Sequence, residues 1–147
     1  MIVKVHKVSE HAKLPTYATD GSGCFDIYSS QDATILMQGP AIVGTGLQLE
    51  IPHGHVMLMF SRSGHGFNND VRLSNCVGVI DEDYRGEIKV KLTKDDNYLS
   101  HTISYTVKAG DRIAQGMIIP VECVSFMEVD SLSETTRGHG GLGSTGM

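Results

Sequence analysis

A chain of 147 residues, 40% apolar and 20% charged, fits one globular domain able to bury a core without disulfide staples. Its net charge of −5 disfavours nucleic-acid binding by counterion release, and any nucleotide would need locally placed arginines, backbone N–H groups or a metal ion. Cys24, Cys76 and Cys123 form no C-x-x-C pair, no apolar run approaches the ~18 residues of a membrane span, and the first residues lack a secretory apolar core, so a cytosolic protein is expected.

In chain order, the periodicity is that of strands. Residues 2–8 alternate imperfectly, and further short runs cover 46–51, 55–60, 87–92 and 101–107. All are alternating or rich in β-branched residues, and Gly, Pro, Asn or Asp bounds them. Residues 75–90 read as strand, polar turn, strand. No stretch supports three or more helical turns, and 17 glycines supply frequent breaks. The pattern predicts an all-β antiparallel sandwich or jelly roll without choosing between them. We place the β domain at 1–130 and a Gly-rich C-terminal arm at 131–147.

Four groups of residues could carry chemistry. The arm contains Arg137-Gly138-His139-Gly140-Gly141-Leu142-Gly143-Ser144-Thr145, which superficially fits a phosphate loop, but Ser144 stands where the loop lysine belongs. Successive N–H groups without Cβ obstruction could still cradle an anion, and Arg137 could grip it with two N–H groups. The same composition also suits a frayed end. The run Asp81-Glu82-Asp83-Tyr84-Arg85-Gly86 suits an ordinary hairpin turn. Three adjacent carboxylates repel one another, however, which points towards a general base or a hydrated cation. Ser61-Arg62-Ser63-Gly64 is a weak phosphate signal alone. His53-Gly54-His55 lacks a third metal ligand and reads as surface histidines.

Taken in order, these groups resemble the five signature motifs of the trimeric dUTP pyrophosphatase family. The first is similar to residues 15–27, PTYATDGSGCFDI. The second is Arg62-Ser63-Gly64. The third runs from Asn75 to Gly86 and includes Gly78-Val79-Ile80-Asp81. The fourth is Gly110-Asp111-Arg112-Ile113-Ala114-Gln115. The fifth lies in Arg137 to Gly146.

The resemblance implies a jelly roll and a homotrimer whose active sites are shared between subunits. It implies hydrolysis of dUTP to dUMP and pyrophosphate with Mg2+. Asn75 and the backbone of Gly78, Val79 and Ile80 would read uracil, and Tyr84 would exclude a ribose 2′-hydroxyl. Asp81 would activate the attacking water, with Arg137 as its catalytic partner. Arg62, Ser63, Gln115, Arg137 and Ser144 would hold the phosphates, Gly64 and Gly143 would be further substrate contacts, and Asp26 would meet magnesium through water. Leu142 stands where the family usually has a stacking Phe, and would cover the base by apolar contact. Residues 65–70, HGFNND, also depart from the family's usual Leu-Ala-like pair and Lys. A dCTP deaminase and a non-catalytic trimeric binding protein are the competing readings. The motif around Asn75 speaks against the first, and joint retention of Asp81, Arg62, Gln115 and Arg137 against the second.

Overall fold

The computed structural model describes residues 1–37, 39–96, 102–141 and 144. Twelve strands and one short helix are assigned among them: β1 (Lys4–Lys7), β2 (Thr16–Tyr17), β3 (Phe25–Tyr28), β4 (Ala33–Leu36), β5 (Ala41–Gly44), β6 (Leu47–Glu50), β7 (His55–Phe60), α1 (Ser63–Asn69), β8 (Val71–Leu73), β9 (Val77–Ile80), β10 (Lys89–Lys94), β11 (Ser104–Val107) and β12 (Arg112–Pro120). The alternating runs of the sequence became β1, β6 and β11, trimmed at their ends, β7 over the full expected run, and β10, which starts two residues later and extends to Lys94; His101 lies outside the described residues.

Every strand pairing is antiparallel. The largest sheet has the order β2-β3-β12-β7-β9, a second has β5-β10-β8, and β1-β6 and β11-β4 form two ribbons. Few of these neighbours are adjacent in sequence, and the result is a distorted jelly roll. The alternation in β10 explains its place: Val90 and Leu92 face inward while Lys89 and Lys91 face water. Ile27, Ile35, Val43, Met57, Leu73, Ile88, Val107 and Ile113 join them in one core cluster. Burial of each such side chain stabilises the fold by roughly 1.5–3 kcal/mol.

β12 is the spine. It pairs with β3 on one side and β7 on the other, so Gln115 lies opposite both Asp26 and Phe60. Gly116 permits this closeness, because a Cβ there would lie 2.7 Å from the Phe25 ring and 2.9 Å from Met57. The last strand ends at Pro120, whose successor Val121 donates its N–H to the Gly54 carbonyl at 2.9 Å. From Val121 to His139 every residue is exposed.

Candidate active site

β9 forms an edge of the five-stranded sheet. An edge strand keeps one row of backbone donors and acceptors unpaired, available to a planar ligand. Gly78 sits opposite Met59 of β7, and a Cβ at Gly78 would lie 2.9 Å from the Met59 methyl. The strand therefore packs flat on β7, while Val79 projects outward. Before β9 the chain turns at Cys76, whose φ of 64° is left-handed. Asn75 Nδ2 secures this turn by donating to the Val77 carbonyl at 3.2 Å.

After β9 comes the acidic turn. The Asp81 carbonyl accepts the Tyr84 N–H at 3.2 Å. Glu82 leaves its acidic neighbours: its carboxylate meets His53 Nδ1 at 2.9 Å and accepts the Gly54 N–H at 2.5 Å. The hydrogen bond to His53, then that from Gly54, holds the Glu82 carboxyl below its ordinary range. The turn carrying Asp81 is thus tied to the turn before β7. Tyr84 donates its hydroxyl to the Glu87 carbonyl at 3.1 Å, and its ring covers Gly86, where any side chain would collide with it. Val79, Ile80, Asp81 and Tyr84 line one depression of about 280 Å3, together with Glu87 and Lys89.

A second cluster forms around Asp26, which is 8% exposed. Arg62 Nε donates to one of its oxygens and Arg112 Nη1 to the other, each at 3.2 Å. Arg62 also donates to the Arg112 carbonyl at 3.3 Å. Gln115 Nε2 donates to the Ser61 carbonyl at 2.9 Å, fixing the segment that leads into α1. One carboxylate between two guanidiniums leaves a local positive excess, suited to an anion. Ser61, Arg62, Ser63, Gly66, Phe67 and Gln115 line a shallow depression of about 410 Å3. At Gly64 an added Cβ would meet nothing, so the approach there is open.

The helix behind this depression is held from below. His65 is buried, its ring centre 5.4 Å from that of Tyr105. Burial, then the neighbouring Arg62, pushes the His65 imidazole below its ordinary value. Its buried Nδ1 has no hydrogen-bond partner among the described residues, which fits a ring that serves as packing. The buried Lys94 donates to the Asn69 carbonyl at 2.8 Å and holds the end of α1.

The two depressions lie at opposite ends of one strand pair. Val77 is opposite Phe60, and Ile80 is opposite Met57. Asp81 therefore continues past Met57, while Arg62 continues past Phe60. Six residues of extended chain separate those levels, roughly 20 Å at ~3.3 Å per residue. Within one chain Asp81 and Arg62 do not converge.

The predicted arm residues stand apart from both. Arg137 donates through Nε to the Gly140 carbonyl at 2.8 Å, and Ser144 donates its N–H to the Gly141 carbonyl at 3.0 Å. Leu142 and Gly143 lie outside the described residues. Sequence reasoning missed Arg112, the Glu82–His53 tie and the role of His65. Arg112 stood inside the fourth motif and could have been found; the other two depend on tertiary neighbours.

For magnesium, no group of three or more His, Cys, Asp or Glu able to hold an ion occurs among the described residues. Asp26 has both oxygens engaged by guanidiniums, yet a carboxylate oxygen can accept a second hydrogen bond. This donor set fits an ion met through its water, not one ligated directly.

Comparison with known proteins agrees with this geometry. A dUTPase family model matches residues 10–146. The deoxyuridine 5'-triphosphate nucleotidohydrolase of Nautilia profundicola is 40% identical over 146 residues, covering 99% of each chain. That of Anaplasma marginale is 44% identical over 135 residues, covering 90% of this chain and 88% of its own. The Staphylococcus bacteriophage 80alpha dUTPase with dUPNHPP superposes with a TM-score of 0.89 at 25% identity, covering 99% of both chains. A match across nearly the whole length, on a fold that presents the third motif at a sheet edge, shows that the chain belongs to the dUTPase family.

Proposed function

We propose that the chain hydrolyses dUTP to dUMP and pyrophosphate, in a homotrimer whose sites each draw on more than one subunit. The observation that carries this reading is the depression at β9, where an edge strand and a carboxylate lie side by side. Uracil presents an acceptor, donor, acceptor edge. A fixed β9 backbone with Asn75 at its start can pair with that edge, and cytosine presents the opposite pattern at two of those positions. The flat packing of Gly78 brings the base close, leaving little space for a thymine methyl. Tyr84, clamped on Gly86, lies where the sugar would rest and would clash with a 2′-hydroxyl.

Asp81 follows directly on the base-reading strand. Its carboxylate would accept a proton from one water as that water's oxygen attacks the α-phosphorus in line. The bond from that phosphorus to the β-phosphate oxygen breaks, and pyrophosphate leaves. Charge then builds on the leaving group, where Arg62, Ser63, Gln115, Arg137 and Ser144 would stabilise it. Asp26 holds Arg62 in place and can receive hydrated magnesium through water. When bound, magnesium neutralises part of the triphosphate charge.

Sharing between subunits follows from the separation along β7. A base must act within one water of its target, and a phosphate at Asp81 is far from the Arg62 of the same chain. A symmetric assembly that places one chain's β9 end beside another's α1 resolves this. The exposed residues after Pro120 give the arm a path away from its own body.

The test is product identification. The protein with magnesium is incubated separately with dUTP, dCTP, dTTP and UTP, and products are followed by phosphorus NMR and chromatography. Rapid release of pyrophosphate from dUTP alone is expected. Ammonia from dCTP would assign a deaminase, and no turnover of any of the four would assign a binding protein.

A further inference from the structure

Phe67 is 91% exposed, on the outer face of α1. Single exposed rings are common. This one lines the same depression as Arg62, Ser63 and Gln115, the groups assigned above to the phosphate chain. A benzyl side chain offers an anion nothing, but its face attracts a cation. The arm contains one guanidinium, Arg137, whose Nε in the present conformation donates to the carbonyl of Gly140 in its own loop.

Resting on the function proposed above, we propose that Phe67 is a positioning residue: its ring receives the Arg137 guanidinium when the arm closes over the triphosphate. A guanidinium is planar, so its face can lie on the ring while its N–H edge points at phosphate oxygens. The two contacts do not compete. Phe67 stands on a fixed element, because His65 anchors α1 against Tyr105 and Lys94 holds its end. A platform of this kind fixes the cation's plane before the phosphates are met, which lowers the entropy lost on closure. Gly138, Gly140 and Gly141 flank Arg137 with little side-chain bulk, so backbone can approach the ring closely.

The test compares wild type, Phe67→Ala, Phe67→Trp, Arg137→Ala and the double variant Phe67→Ala/Arg137→Ala, all as full chains. Steady-state kinetics with dUTP are combined with amide exchange of residues 135–141 in the presence of a non-hydrolysable dUTP analogue and magnesium. Phe67→Ala should lower kcat/KM roughly three- to tenfold, the scale of a partly desolvated cation–π contact, and should weaken arm protection. Phe67→Trp should restore both. In the Arg137→Ala background, removing the ring should have no further effect. Wild-type kinetics and protection in Phe67→Ala would overturn the proposal. So would additive losses in the double variant, which would mean that the ring touches the nucleotide directly. A reduced sedimentation coefficient of Phe67→Ala would also overturn it, since the ring would then belong to a subunit interface. If Arg137→Ala itself hydrolyses dUTP like wild type, the arm reading fails first, and the role of Phe67 falls with it.

Discussion

Two of the three carboxylates after β9, Asp81 and Glu82, have different surroundings. Glu82 turns to His53 and Gly54, which removes it from the repulsion that the sequence seemed to impose. In the proposed mechanism Asp81 then acts on water without that neighbour. Asp81→Asn should retain analogue binding while turnover falls by ~10²-fold or more, the usual scale for a general base. Near wild-type kcat would remove Asp81 from that role. Tyr84→Ala should narrow the preference for dUTP over UTP, read as the ratio of their kcat/KM values; an unchanged ratio would place the sugar filter elsewhere. Glu82→Gln keeps the shape but not the charge. It should lower kcat roughly tenfold with little change in KM, less than the ~10²-fold that a full ångström of misplacement can produce. The pH dependence has a definite sign. The folded-state Glu82 carboxyl is depressed by its bond to His53 and the Gly54 N–H. Its contribution to stability is therefore present above the ordinary carboxylate range and is lost as pH falls through the lowered value. Glu82→Gln should lack this acid-side component in urea titrations, and an identical pH profile would contradict it.

At the scale of elements, α1 is the instructive case. Its seven residues include Gly64 and Gly66, poor helix formers, so propensity hides it. Tertiary contacts make it, chiefly buried His65 and the Lys94 hydrogen bond. His65 has a folded-state affinity for protons below the ordinary value, through burial and then the Arg62 charge, opposed by Asp111. The unfolded chain therefore binds a proton there first, and folding stability falls as pH drops below about 6.5, the ordinary histidine value. His65→Leu should flatten this loss, raising the urea midpoint at pH 5.5 relative to pH 7.5 when compared with wild type. An equal pH dependence in both would show that His65 binds protons equally in the folded and unfolded chains, against the account.

The strands differ in how visible they were. β6, β7 and β10 were legible because each has one face in the core and one outside. β12 was not, since it is flanked by β3 and β7 and its Met117-Ile118-Ile119 run does not alternate. Pairings such as β1 with β6 and β5 with β10 join distant segments, and no local pattern encodes their register. The site was legible as motifs, yet their partners were not. Asp26 read as a metal contact, while its carboxylate also organises Arg62 and Arg112. That arrangement needs β3 beside β12, which only the fold supplies.

For the whole molecule, the central claim is that a complete site needs more than one chain. Its physical basis is the β7–β9 register, which separates Asp81 from Arg62. Sedimentation should give about three times the 15.9 kDa chain mass. The most direct measurement mixes two inactive proteins, Asp81→Asn and Arg62→Ala, unfolds and refolds them together in equal amounts, and assays dUTP hydrolysis. If Asp81 and Arg62 reach one nucleotide from different chains, roughly a quarter of the sites in randomly mixed assemblies carry both wild-type residues. Activity should return to about that fraction of wild type. If both residues of a site come from the same chain, every site lacks one of them, and the mixture should remain as inactive as its components.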